Sequence, residues 1–269
     1  MKNHRTMALV AVLSLIFSCN SLAGTKIVIQ AIEDGQNEAD STMLIQGNKL
    51  RMSYFDKSDS SNSDIIFNHQ SQSMMAIDTE EKSYMVFEAA HLASVKAKMD
   101  AVKQQMEAQL AKMPAEQQKM MREMMAGKLG IGKPKEKPTK KIVKTDNTGS
   151  AAGFDCQYVE VYSNDVKKRE LCITPWSKLT NGGEVKTAMQ GMMSFFEKVM
   201  DSVGQFAQDD NMPFSEINEL GGFPIIYKEY KNGKITEQSK LKSINDESIT
   251  EELFNPPKGY KKQSLNDMM

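Results

Sequence analysis

Two cysteines carry the clearest chemical signal. Cys156 and Cys172 stand 16 positions apart, on either side of a turn at Ser163-Asn164-Asp165. With that turn centred on Asn164, the strand alternation sets Cys156 opposite Cys172 and Tyr158 opposite Glu170. Facing thiols on a hairpin, in an oxidising compartment, form a disulfide. A redox role would need a Cys-x-x-Cys pair or a helix N-terminus to lower a thiol pKa, and the segment has neither. Histidine is scarce. Beyond the first 23 residues only His69, in a predicted turn, and His91, at a predicted helix start, remain, and both read as exposed polar side chains. There is no Gly-x-Ser-x-Gly elbow, no His-Glu-x-x-His helix and no phosphate-cradling glycine loop. Carboxylates, such as Glu33-Asp34 and Glu80-Glu81, are scattered over turns and helix surfaces. The expectation is therefore no catalytic residue, no metal site and no cofactor, with an unrecognised hydrolase as a distant alternative.

Methionine is the compositional anomaly: 21 of 269 residues. Seven fall between Met99 and Met125 and four between Met189 and Met200, all at helical spacing. An unbranched thioether fills irregular gaps in a core and repacks readily around varied ligands. The six residues expected to face a hydrophobic ligand are Met99, Val102, Met106, Met192, Phe196 and Met200. A third reading, Cu(I) capture by the soft sulfurs of Met120-Met121-x-x-Met124-Met125, lacks the histidines and wider methionine repeats such sites use.

The elements that must position these residues begin with a leader. Lys2, His4 and Arg5 precede an apolar run from Met7 to Phe17, and Ser21-Leu22-Ala23 offers the small-x-small pattern of signal-peptidase cleavage. A cut after Ala23 leaves 32 basic and 35 acidic residues, a net charge of −3 that suggests no nucleic-acid partner. The competing reading is a lipid anchor at Cys19, within Ile16-Phe17-Ser18-Cys19. No later segment is apolar and long enough to span a bilayer.

From Thr25 to Glu88 the pattern is an antiparallel meander of six short strands, with Gly47-Asn48 closing a tight hairpin. Leu92, Val95, Met99, Val102, Met106, Leu110 and Met113 then recur at helical spacing, Pro114 restarts the helix, and Gly127 ends it. Residues 128–144 form a Lys/Pro/Gly linker with seven lysines and one acid. Strands resume around Lys141. A third amphipathic helix carries Val185, Met189, Met192, Phe196, Val199, Met200 and Val203 on one face, and a last hairpin turns at Asn232-Gly233.

This order of elements resembles an uncharacterised family of bacterial periplasmic domains, itself similar in outline to the LolA-like β half-barrels that include the carrier of outer-membrane lipoproteins. The residues that carry the resemblance are Gly47-Asn48-Lys49-Leu50-Arg51, Gly153-Phe154-Asp155-Cys156, Cys172-Ile173-Thr174-Pro175-Trp176, Gly222-Phe223-Pro224 and Pro257-Lys258-Gly259-Tyr260. It implies an α+β fold: a strongly curved antiparallel sheet with amphipathic helices over an apolar concave face. The domain plan is a signal peptide (1–23), one domain (24–262) with a Met-rich helical insertion (89–127) and the linker, and a disordered tail (263–269). The expected function is non-enzymatic and periplasmic: binding a lipid, acyl chain or lipoprotein between sheet and helices. The alternative is a cavity-free envelope module that docks a periplasmic protein through residues 89–144.

Processing is directly testable. N-terminal sequencing of exported protein should begin at Gly24, whereas palmitate labelling that disappears in Cys19→Ala would establish the lipid anchor instead.

Overall fold

The computed structural model describes residues 21–33, 36–56, 61–128, 139–203 and 217–264. The leader through residue 20, most of the linker and the last five residues lie outside them. The meander expected between Thr25 and Glu88 is present as β1 (Ser21–Glu33), β2 (Gln36–Gln46), β3 (Lys49–Asp56), β4 (Ser61–Asn68), β5 (Ser73–Asp78) and β6 (Ser83–Glu88). Then come α1 (Ala89–Leu110), α2 (Ala115–Lys128), β7 (Lys140–Ala151), β8 (Phe154–Ser163), β9 (Val166–Pro175) and α3 (Gly182–Val203). One helical turn, α4 (Ile217–Leu220), precedes β10 (Gly222–Lys231), β11 (Lys234–Thr250) and the short β12 (Lys261–Gln263). The last five residues assigned by sequence to the linker are thus strand, and strand pairing runs one residue past the expected domain end.

All twelve strands join one open sheet in the order β12-β6-β5-β4-β3-β2-β1-β11-β10-β9-β8-β7. It is mixed rather than purely antiparallel, because β12 returns to pair parallel with β6, Lys261 against Ser83. The strand β1 starts three residues before the expected cleavage point, with Ser21 paired to Thr250 and Gly24 to Glu247. A cut after Ala23 would keep everything from Gly24 onward.

Turn chemistry follows the residues. At the β2–β3 hairpin the positive φ falls on Gly47 alone, +54°, the pattern of a turn with glycine at its first central position. Asn164 and Asp165, and again Asn232 and Gly233, are both left-handed, from +49° to +75°, which matches the twist of the flanking strands.

The front face of the sheet carries the main core. Ile27, Met43, Ile45, Leu50, Phe67, Met74, Phe223, Ile225, Leu241 and Ile244 come from seven strands, and α3 lies against them with Val185, Ala188, Met189, Met192, Met193 and Phe195. Phe195 stacks at a tilt on Phe67, 5.7 Å between centroids, and Trp176 meets Phe223 edge-on at 5.9 Å. The helix α3 is also tied by polar contacts. The Asn181 amide donates to Thr25 Oγ1 (3.0 Å) and Asp246 Oδ1 (2.8 Å), the Gly47 amide donates to the Glu184 carboxylate, and Lys198 Nζ donates to Gln72 Oε1 (3.1 Å). Gly191 is required by a close approach: a Cβ there would sit 2.4 Å from His69 Nδ1. His69 is therefore half-buried against α3 rather than the exposed turn residue its neighbours suggest.

The back face is covered differently at its two ends. On the meander side, Ile66, Ile77, Ile249 and Phe254 cluster with Leu44, Met75, Tyr84 and Tyr260. The chain after β11 is held there by Arg51, which donates to Leu253 O (2.7 Å) and Asp64 Oδ2 (2.5 Å). On the other side the sheet rolls. Parts of β7 come within 8 Å of β10 and β11, Cα to Cα, around Val159, Val161, Leu171, Ile173 and Tyr227, with Ile142 and Leu220 packed against them.

The difference between the helices predicts their mutational cost. Phe195→Ala should lose about 3 to 5 kcal/mol, whereas Val102→Ala, at a side chain 56% exposed, should stay within about 0.5 kcal/mol. Urea denaturation of both variants checks the contrast.

Candidate binding surfaces

The disulfide is present, but not across a directly opposed pair. The turn is a two-residue Asn164–Asp165 loop, pairing Ser163 with Val166, and a bulge between Val161 and Tyr162 leaves Lys168 without an opposite residue. Each shifts the register by one. Cys172 therefore faces Tyr158, Glu170 faces Glu160, and Cys156 faces Gly149 of β7. The Cys156–Cys172 bridge runs diagonally, Cα–Cα 5.3 Å, and both residues are buried. Gly149 makes room for it: a Cβ there would lie 3.2 Å from Cys172 Sγ and 3.0 Å from the Tyr158 ring. In the chain-entropy model a loop this short contributes about 3 kcal/mol.

The shifted register brings together groups the sequence left scattered. Glu160 and Glu170, directly opposite on neighbouring strands, would repel one another. Lys167 lies between them, 2.7 Å from Glu160 Oε1 and 2.5 Å from Glu170 Oε2. Lys228 of β10 reaches Glu170 Oε1 at 2.7 Å. The Tyr162 hydroxyl donates to Glu160 Oε2 (2.7 Å). Lys167 sits 4.6 Å above the Tyr230 ring and Lys228 5.5 Å above that of Tyr158.

Hydrogen bonds from Lys167 and Tyr162 hold Glu160 below the usual carboxylate range. Burial would raise Glu170, but hydrogen bonds from Lys167 and Lys228 outweigh it and lower that group too. With every charge partnered, this is a clasp across β8, β9 and β10. It also forms one wall of a shallow concavity of about 570 Å³, completed by Thr145 to Thr148 at the bulge of β7.

A larger groove, about 990 Å³, is bordered by β7, β8, the end of β9 and α4. Lys144, Thr148 and Ser150 of β7 form one wall; Pro175, Lys178 and Leu220 form another. Val159 and Ile173 lie on its floor, with Asp155 and Gln157 beside them. These β8 residues point to the back face, away from α3.

The six residues expected to share a ligand surface are not all brought together. Met192 is sealed in the core under α3, and Phe196 is half-buried against the same cluster. Met106 belongs to a small separate cluster with Leu110, Met113 and Met121, where α1 folds back on α2. Val102 is exposed. The side chains of Met99 and Met200 lie outside the described residues. The helix α1 leans on α3 and on the end of β6, and its far end folds into a hairpin with α2, which takes Met106 away from the α3 core. Among the described residues, no group of three or more His, Cys, Asp or Glu is placed to hold a metal, and no helix is long and apolar enough to cross a membrane.

No protein-family model matches the chain, and no curated protein matches it significantly. Among solved structures it is similar to an uncharacterized conserved protein from Thermus thermophilus, at 6% identity and a TM-score of 0.42, over 91% of both chains. It is also similar to PNGF-II, at 9% identity and a TM-score of 0.39, over 91% of this chain but 32% of that one. The chain thus spans about a third of PNGF-II. Likeness this weak leaves function to the site itself.

The clasp sets a pH dependence. Carboxylates with lowered folded pKa values stabilise fully above the ordinary carboxylate pKa of 4.5 and lose that contribution as pH falls through the folded values. Stability measured by urea denaturation from about pH 6 to about pH 3 should therefore fall less steeply in Glu160→Gln/Glu170→Gln than in the parent; parallel curves would deny the clasp any such role.

Proposed function

We propose that this chain is a non-enzymatic binding protein of the periplasm, exported by the leader ending at Ala23, built on a LolA-like half-barrel plan and carrying a hydrophobic ligand. The observation that supports it is the groove bordered by β7, β8, the end of β9 and α4. Its size falls within the range of small-molecule sites, and Val159, Ile173, Pro175 and Leu220 are among the residues that line it. The space between α3 and the sheet supports the reading less. There Val185, Met189 and Phe195 are fully buried, and a ligand would have to displace a helix tied to β1, β11 and the β4–β5 turn.

One observation favours a second reading, the envelope module that docks a protein through residues 89–144. Val102 and Met120, 56% and 64% exposed, lie on the α1–α2 hairpin.

Titration with the neutral apolar fluorophore N-phenyl-1-naphthylamine tests the carrier. Saturable uptake should occur, and Ser150→Trp, which fills the groove from a β7 position on its wall, should abolish it. Met192→Trp should leave uptake intact while costing about 1 to 3 kcal/mol of stability. Loss of uptake only in Met192→Trp, with the fold intact, would move the ligand under α3. No uptake by folded parent protein would defeat the carrier and leave the hairpin module.

A further inference from the structure

We infer that this groove selects single-chain anionic amphiphiles, an alkyl chain ending in a carboxylate or similar anion. The inference rests on the carrier reading and adds the ligand's charge and form. Three features carry it. First, the groove is two-sided in character. Val159, Ile173, Pro175 and Leu220 supply apolar surface, while Lys144 and Lys178 bring ammonium groups from two different walls. Both lysines are exposed, so neither has lost its hydration to the fold, and each can reach an anion at the rim.

Second, the charge count favours an anion. Two lysines stand against one carboxylate, Asp155, among the lining residues. Asp155 pairs across the ladder with Ser150, and Lys144 with Val159. Asp155 and Val159 are four residues apart on β8, about 13 Å at strand rise, so Asp155 does not neutralise Lys144. The front-face concavity is the contrast. It holds Asp146, Glu160 and Glu170 with Lys228, and its glutamates already hold lysines; nothing there is left over for an anion.

Third, the groove is closed inward. Val159 and Ile173 are themselves only 4% and 8% exposed, and Val161, Leu171 and Tyr227 behind them are 6% exposed or less. A ligand can lie in the groove but cannot thread through the packed residues behind it, and a groove of about 990 Å³ fits one chain of a soluble amphiphile.

The test uses the full exported chain, with fluorophore displacement by three twelve-carbon probes below their micellar concentrations: dodecanoate, neutral 1-monolauroylglycerol and cationic dodecyltrimethylammonium. Dodecanoate should displace the fluorophore about tenfold more tightly than the neutral probe, the cation should be weakest, and added salt should narrow the gap. Lys144→Gln/Lys178→Gln should bring dodecanoate to the level of the neutral probe without changing the latter, and the single variants should show which lysine meets the anion. Ser150→Trp should remove all three. Co-flotation with phosphatidylglycerol vesicles should be absent.

Equal binding of dodecanoate and the neutral probe, both lost in Ser150→Trp, would overturn this inference and leave the carrier standing. Binding that survives Ser150→Trp would remove the groove as the site. Vesicle binding without monomer binding would replace the soluble ligand with a membrane surface. Failure of every probe to bind would overturn both readings.

Discussion

A sheet of twelve strands presents two broad faces, and among the described residues one long helix, α3, is laid across the core on one of them. The rest of the architecture answers that shortage. On the front, α3 is laid across strands from both halves of the sheet, so Phe195 and Met189 pack against residues far apart in the chain. On the back, among the described residues, only the single turn of α4 packs, through Leu220. One end is closed by the chain after β11, with Phe254 tucked beneath Arg51 and Lys49, and the other by rolling the sheet upon itself. Rolling buries apolar side chains without a second layer.

Much of this was legible in residues. The six strands of the meander, the hairpin turns at Gly47-Asn48 and Asn232-Gly233 and the amphipathic α3 follow from alternation, from side chains that accept positive φ and from helical spacing. What was illegible depended on counting residues through a turn. One bulge at Lys168 and a loop of two residues rather than three separate the expected register of β8 and β9 from the observed one, and side-chain patterns alone do not report bulges. The parallel return of β12 left no trace either, since three residues carry no periodicity.

The candidate site was less legible than the fold for the same reason. Glu160, Lys167, Glu170 and Lys228 read as ordinary exposed charges until the register sets them side by side. The groove draws on the neighbouring strands β7, β8 and β9 and on α4, which is remote from β7 and β8 in the chain. The helical stripe of α1 was informative only in part: Met106 and Leu110 are packed, but Val102 on the same stripe is 56% exposed, because a periodic stripe states a demand for burial and not that a partner exists.

The position of β1 has a consequence for how the chain reaches its final state. It is a central strand, hydrogen-bonded to β2 on one side and, from Ser21 to Ile32, to residues 238–250 on the other. The meander can pair internally as soon as it is made, yet one flank of β1 stays an open edge until nearly the whole chain has followed. Such distant pairing slows folding and leaves backbone donors and acceptors free to recruit a wrong strand in the interval. The middle of the sheet is thus a late seam to close, and a chain stalled before β11 would present the aggregation-prone edge of an otherwise ordered half.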